Sequence, residues 1–391
     1  KAHKADRLHS WAIAGQELET KARTLAQRLL AENGLEVWYQ PIIDGFDGGV
    51  RGVEALARLR DVDGRVLTPA EFLPHLKLGE LQNLSWQLLT AALQDIGALE
   101  TEGWLLGLSF NVPAQSFTRY CLPCLRGILA ASPVSPDRIT MEILEGGDFL
   151  DQPVAAEVMA EIRGMGIHLA LDDVGTAYAS LQRLRDLPID KIKVDQHFVR
   201  ALPDHPEDLH FIRVLQDLAE EIGVELVVEG VETAEILDVL LTLGVAKLQG
   251  YGISRPLPFK DLRRFLEAPL RLDGVRPATL FGLFAGILSI HAVIKKTLQP
   301  LGRQLFVLES ALRRDGPYDA ALSRLGYTPG EPLHIAYRRY QSMLSRALAG
   351  GADSPHNRYW QDVEEALRDL QSQILAERQR EIPGNGDEPA P

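Results

Sequence analysis

Leu169-Ala-Leu-Asp-Asp-Val-Gly-Thr-Ala-Tyr-Ala-Ser-Leu181 is the stretch on which the reading of the whole chain turns. A mostly apolar run, Ile167 to Leu171, ends in two adjacent carboxylates, Asp172 and Asp173. Gly175 and Thr176 follow, and a helical pattern begins. The order is strand, acidic tip, tight turn, helix. In a parallel α/β sheet the C-terminal tips of strands face the ligand crevice. Neighbouring carboxylates there raise each other's pKa unless a cation neutralises them. One reading is a divalent metal site; the other is a helix N-cap with a spare acid, since Asp is a preferred N-cap residue. No Cys is near, and His168 stands four residues back, about 13 Å along a strand. Carboxylates alone favour Mg²⁺ or Mn²⁺ over zinc.

Working outward, strand patterns alternate with helical ones. Leu35–Ile43 and Val50–Leu59 are separated only by Asp44-Gly-Phe-Asp-Gly-Gly49, too short for a helix, which predicts antiparallel neighbours. Helical sequence fills Pro69 to Leu99. Further strands are predicted at Trp104–Asn111, Arg138–Leu144, Ile167–Asp173, Ile189–Asp195, Val224–Glu229 and Ala246–Tyr251. Between them lie helical patterns at Ala114–Leu129, Pro153–Met165, Ala179–Leu184, Asp208–Ile222 and Ala234–Leu243. Eight strands with helical crossovers predict an α/β fold: a modified (β/α)₈ TIM-like barrel with an antiparallel first strand. An open doubly wound sheet is the alternative.

Polar residues recur at corresponding places on these strands. Glu54, Asn111, Glu142 with Glu145, Asp172 with Asp173, Lys193 with Asp195, Glu229 with Glu232, and Gln249 fall on or just after seven of them. Charged groups are rarely buried without partners. Gathered around one barrel mouth and bridged by cations, they satisfy one another.

With these residues in view, the chain resembles the EAL-domain family of cyclic di-GMP phosphodiesterases. The name-giving tripeptide is Glu54-Ala-Leu56, inside Val53-Glu-Ala-Leu-Ala-Arg58. Around it stand Tyr39-Gln-Pro-Ile42, Phe110-Asn-Val-Pro113, Met141-Glu-Ile-Leu-Glu145, Asp172-Asp-Val-Gly-Thr176, Lys193-Val-Asp195, Glu229-Gly-Val-Glu-Thr233 and Gln249-Gly-Tyr251. The match runs from about Leu25 to Leu266. The resemblance implies metal-dependent hydrolysis of cyclic di-GMP to linear pGpG with two Mg²⁺ or Mn²⁺ ions, and a homodimer. It implies that Glu54, Asn111, Glu142 and Asp172 ligate one metal, and that Asp172 and Asp173 share the second. Glu229 matches a general base or second-metal ligand, and Lys193 a lysine at the attacking water or phosphate. Arg58, Gln40, Gln249 and Asp195 match substrate-pocket positions, and Glu145 and Glu232 acids that brace the loop after the fifth strand. Ca²⁺, larger and looser in geometry, is expected to inhibit. The chain departs from the family's Asp-Phe-Gly-Thr-Gly with Val174 and Ala177. A positive φ at Ala177 would cost about 1 kcal/mol. A catalytically idle cyclic di-GMP receptor is the competing reading, and a scaffold working through its helical third is another.

The chain has 391 residues, 46% of them apolar, and a formal net charge of −13. That length favours more than one domain. The acidity argues against DNA or RNA as partner, for lack of a basic footprint. The two cysteines, Cys121 and Cys124, form a lone C-x-x-C with no second pair, and read as reduced structural thiols of a cytoplasmic protein. The chain begins at Lys1, so an upstream GGDEF or sensor domain and a membrane anchor fall outside this reading. Residues 1–24 read as an N-terminal linker helix, 25–270 as the barrel, 271–381 as an all-α helical domain and 382–391 as a disordered tail. Within the helical third, Ala278–Ile294 is nearly all apolar and reads as a buried or interface helix, a membrane span being the alternative. Helices follow at Thr297–Arg314, Pro332–Leu348 and Arg358–Arg378. His291, His334 and His356 read as structural, and Tyr337-Arg-Arg-Tyr340 as a surface or interface face.

Overall fold

The structure is a computed structural model that describes residues 24–144, 153–174, 184, 187–268, 270–272, 274–301, 318–349 and 358–381. Among the described residues ten strands form one sheet: β1 (Leu35–Asp44), β2 (Val50–Arg60), β3 (Val66–Leu67), β4 (Gly107–Val112), β5 (Ile139–Leu144), β6 (His168–Val174), β7 (Lys191–Val194), β8 (Glu225–Val228), β9 (Lys247–Leu248) and β10 (Leu257–Pro258). Eight of them close on themselves in the order β1-β2-β4-β5-β6-β7-β8-β9, with β1 also paired to β2. β1 runs antiparallel to both its ring neighbours, and every other ring pairing is parallel. The barrel with an antiparallel first strand is therefore present. β3 and β10 are two-residue additions on β2 and β1 that the sequence pattern did not announce.

Alternation within the strands explains the burial. Side chains at i and i+2 share a face. On β4, Leu108, Phe110 and Val112 are buried on one face, and Ser109 and Asn111 stand on the other. On β5 the apolar set is Ile139, Met141 and Ile143, and the polar set is Thr140 and Glu142. β6 repeats this with Leu169 and Leu171 against Ala170 and Asp172, and β7 with Ile192 and Val194 against Lys191 and Lys193. The apolar faces turn to the surrounding helices, and the polar sets line the barrel's interior.

Some boundaries differ from expectation. The helical stretch 69–99 is interrupted: a short helix, Pro69–Phe72, and a 3₁₀ turn, Leu73–His75, precede the helix Leu78–Thr101. Pro74 lacks the N–H that would continue the first helix, and Glu80 returns to the Lys77 N–H at 2.7 Å to start the second. The stretch 114–129 resolves into a 3₁₀ turn, Ala114–Ser116, and a helix, Cys121–Ala130. Cys121 is buried and Cys124 exposed on that helix, both as free thiols.

Two compact units divide the chain. The first comprises the described residues up to 199, 215–231 and 246–271, and contains all the described strands. The second comprises 200–214, 232–245 and the described residues from 272 onward. Within the second unit the helix Leu280–Leu301 runs unbroken past residue 297, where a new helix was expected to begin. Its glycine at 282 lets the helix Ala234–Thr242 approach: a Cβ there would stand 2.0 Å from Asp238 Oδ2. The buried Asp238 accepts from Arg276 Nη1 at 2.7 Å, the Thr279 N–H at 2.9 Å and Thr279 Oγ1 at 2.8 Å, and so caps the start of that helix. The helices Asp319–Arg324, Pro332–Ala349 and Arg358–Glu381 follow in this unit. Tyr337 and Tyr340 are buried rather than at a surface, because i and i+3 share a helix face that here turns inward, leaving Arg338 and Arg339 about half exposed. His291 is buried against Tyr340, 3.1 Å from its hydroxyl, and burial pushes its imidazole down to about 4. His334 is buried beside Asp319; His356 lies outside the described residues. No described helix is long and apolar enough to cross a membrane.

Candidate active site

The C-terminal ends of the barrel strands bring the expected residues to one place, and Lys193 is at its centre. Its ammonium lies 2.8 Å from Glu142 Oε2, 3.3 Å from Glu54 Oε2, 2.5 Å from Glu229 Oε1 and 4.0 Å from Asp172 Oδ1. Lys193 is 2% exposed and Glu142 1%, so neither draws on bulk water. Asn111 Nδ2 donates to Glu54 Oε1 at 2.7 Å and to Glu142 Oε2 at 3.5 Å. Gln249 Nε2 donates to Glu54 Oε2 at 2.6 Å and to Gln40 Oε1 at 3.3 Å. Gln40 and Glu54 are cross-strand partners in the β1–β2 register, which puts both on the inner face.

Asp172 and Asp173 would point to opposite faces of a regular strand. The β6–β7 register shifts between Leu171 and Val174, and Asp173 takes a left-handed φ of 58°. The bulge breaks the alternation, and Asp is one of the few residues that tolerates this conformation. Asp173 donates its backbone N–H to Asp172 Oδ1 at 3.0 Å. Two glycines serve the strands opposite. Gly230, after Glu229, has φ 71° and passes Gln196 so closely that a Cβ would meet its carbonyl oxygen at 2.8 Å. At Gly250, after Gln249, a Cβ would meet the Val231 nitrogen at 2.3 Å.

The charge balance is uneven. Five carboxylates, Glu54, Glu142, Asp172, Asp173 and Glu229, share one buried ammonium. Burial and the neighbouring acids push Glu142 well above the usual carboxylate range and Asp172 upward. The same causes lift Asp173 to about 6 and Glu229 to about 7. Glu54 runs the other way: burial would raise it, but Lys193 and the Gln249 and Asn111 hydrogen bonds hold it low. Lys193 stays charged, because these acids outweigh its desolvation. The donor set is all oxygen apart from the lysine, and the buried Gln249 Oε1 has no partner among the described residues. An oxygen-rich, over-negative set fits hard divalent cations. In the present arrangement no three acidic or imidazole groups among the described residues converge on a single metal position.

Other expected residues take different places. Arg58 is buried, donates to the Ala57 carbonyl at 2.9 Å and lies 5.3 Å over the Trp38 ring. Asp195 is buried, and its Oδ1 accepts from the His197 N–H at 2.6 Å, at the head of the helix Gln196–Ala201. Glu232 pairs with Arg200 at 2.7 Å within the second unit. Glu145 and Ala177 lie outside the described residues, while Val174 is buried and paired with Val194. Trp38 was missed from sequence. Alternation offered the signal, because Trp38 and Gln40 share a face and Trp38 sits diagonally from Arg58 across β1 and β2.

Residues 23–256 match the EAL domain family. The cyclic di-GMP phosphodiesterase RocR of Pseudomonas aeruginosa is 35% identical over 230 residues, 58% of this chain and 59% of RocR. The cyclic di-GMP phosphodiesterase NbdA of the same organism is 31% identical over 267 residues, 68% of this chain and 34% of NbdA. The chain thus spans between a third and three fifths of the length of these two relatives. Among solved structures, the PaMucR phosphodiesterase in complex with c-di-GMP aligns with a TM-score of 0.56 at 26% identity, over 60% of this chain and 97% of that one. With the match covering more than half its length, this chain belongs to the EAL domain family.

Proposed function

We propose that the chain hydrolyses cyclic di-GMP to linear pGpG. The observation that carries this reading is the ring of five carboxylates around buried Lys193 at the C-terminal mouth of an EAL-family barrel. Glu54, Asn111, Glu142, Asp172, Asp173 and Glu229 would hold two divalent ions, Mg²⁺ or Mn²⁺. When bound, such ions supply an activated water and offset the charge of the attacked phosphate.

The chain's own residues do the rest. Glu229, 2.5 Å from Lys193, serves either as the general base that takes a proton from water or as a ligand of the second ion. The water oxygen forms a new P–O bond, one ester P–O bond breaks, and the leaving oxygen takes up a proton. Lys193 supplies a fixed positive charge where negative charge builds on the phosphate. Arg58, backed by the Trp38 ring, holds the second phosphate. Gln40 and Gln249 position Glu54 and line the pocket beside it.

Incubation of the purified chain with cyclic di-GMP and Mg²⁺ or Mn²⁺, followed by chromatography, tests the proposal. The expected product is pGpG. Saturable binding of cyclic di-GMP without product would assign the chain to the receptors instead.

A further inference from the structure

Beneath the carboxylate ring the barrel is not filled. Interiors of this fold are usually packed with layers of bulky Val, Ile and Leu. Here Gly52 pairs with Gly107, and Ser109, Thr140 and Ala170 supply the next small side chains on the inner face. The result is a pocket of about 230 Å³, at the end of the barrel opposite the carboxylate ring. It has room for several waters, each claiming about 30 Å³ of liquid. Arg51, Lys191, Glu225 and Lys247 stand at the strand starts that rim it, and Glu142 and Lys193 form its ceiling.

Two features give the pocket a chemical preference. Ser109 is 7% exposed and Thr140 3%, and among the described residues neither hydroxyl has a protein partner. Both are donors aimed into the void. The rim also carries more positive than negative groups, Arg51, Lys191 and Lys247 against Glu225, while Lys193 in the ceiling is committed to the carboxylate ring. Each wall carboxylate is already held by a wall lysine, Glu142 by Lys193 at 2.8 Å and Glu225 by Lys191 at 3.0 Å. Asp44 reaches Arg51 at 3.4 Å and Lys247 at 3.1 Å, and Asp47 pairs with Arg51, but neither acid lines the void.

We propose that this pocket is a second ligand site, for a small oxyanion of the phosphate or carboxylate class, entered from the N-terminal end of the barrel. The hydroxyls of Ser109 and Thr140 donate to its oxygens, and Arg51 and Lys247 supply the attraction at the rim. The site stands apart from the catalytic reading, because its occupancy is measured by binding alone.

The test is calorimetry on the full chain in EDTA, which removes divalent ions that would capture phosphate at the carboxylate ring. Inorganic phosphate is one probe and acetate the other. One equivalent of at least one anion is expected to bind saturably, and the response of the two separates phosphate from carboxylate preference. Thr140→Val combined with Ser109→Ala is expected to weaken binding at least tenfold, as is Lys247→Gln alone, which decides the matter if the double variant does not fold. Arg58→Gln, at the opposite end of the barrel and bonded to no residue of the pocket wall, is expected to leave the affinity unchanged. Absence of saturable binding by either anion overturns the proposal, as does binding that survives Lys247→Gln or is lost in Arg58→Gln.

Discussion

Replacing Lys193 with Met removes the only cation within 4.0 Å of Glu54, Glu142, Asp172 and Glu229 among the described residues while keeping most of the side chain's volume. Breaking a buried ion pair by deleting one partner costs about 3–5 kcal/mol, because the other charge is left uncompensated. At roughly 2–4 °C per kcal/mol for a unit of this size, the melting temperature should fall by about 6–20 °C. The loss should depend on pH, and its sign follows from the carboxylates. Glu229 at about 7 and Asp173 at about 6 stand above their ordinary values, as do Asp172 and Glu142. Groups raised in the folded state keep protons that the unfolded chain has released, so stability falls as pH rises from the ordinary carboxylate value toward 7. Without Lys193 these pKa values climb further, so the variant should be most impaired above pH 7 and least near pH 5. Thermal melts in EDTA at pH 5 and pH 8 read this directly. Added Mg²⁺ should recover part of the loss at pH 8, because cation binding to the folded state stabilises it. Turnover in Mg²⁺ should drop ~10²–10³-fold, the usual consequence of losing one preorganised charge. A variant that melts with the parent at pH 8 in EDTA would refute the account of Lys193 as the counter-ion of this cluster.

Other outcomes follow from single contacts. Glu54→Ala should abolish pGpG formation, measured by chromatography at saturating cyclic di-GMP, since Glu54 bonds Asn111, Lys193 and Gln249 at once. Ca²⁺ in place of Mg²⁺ should support cyclic di-GMP binding by calorimetry but not turnover, because its looser coordination misplaces the attacking water. Asp238→Ala should destabilise the second unit by about 3–5 kcal/mol, leaving Arg276 and the helix start without an acceptor; faster hydrogen exchange around residues 278–283 checks it, and Asp238→Asn should retain part of the protection.

Strand alternation made most of the barrel legible. On β4 through β7 each strand carries apolar residues at one parity and polar or small ones at the other, so both the pattern and the inward side could be read. The Asp172–Asp173 pair was legible as a site but not as geometry. Only a register shift and a left-handed residue place both carboxylates near Lys193, and neither leaves a composition signal. The helical third was less legible for a related reason. Helix periodicity reports which face is apolar and says nothing of what covers it, so Tyr337 and Tyr340 fit a surface as well as the interior they occupy.

Asp238 shows the same limit from the other direction. In sequence it is an acid within an apolar helical run, Ile236 to Leu241, where a solvated position is the default. In the structure it is 1% exposed and takes its donors from residues about forty positions later. A buried carboxylate persists only where donors outweigh its desolvation. A chain cut near Gly274 would therefore leave Asp238 without Arg276, Ala278 and Thr279, and the helix Ala234–Thr242 without the neighbour that Gly282 admits. The residues that follow the barrel in sequence are thus required for the stability of a helix that precedes β9. That dependence lies in one aspartate and one glycine, neither of which belongs to the motifs that carry the family resemblance.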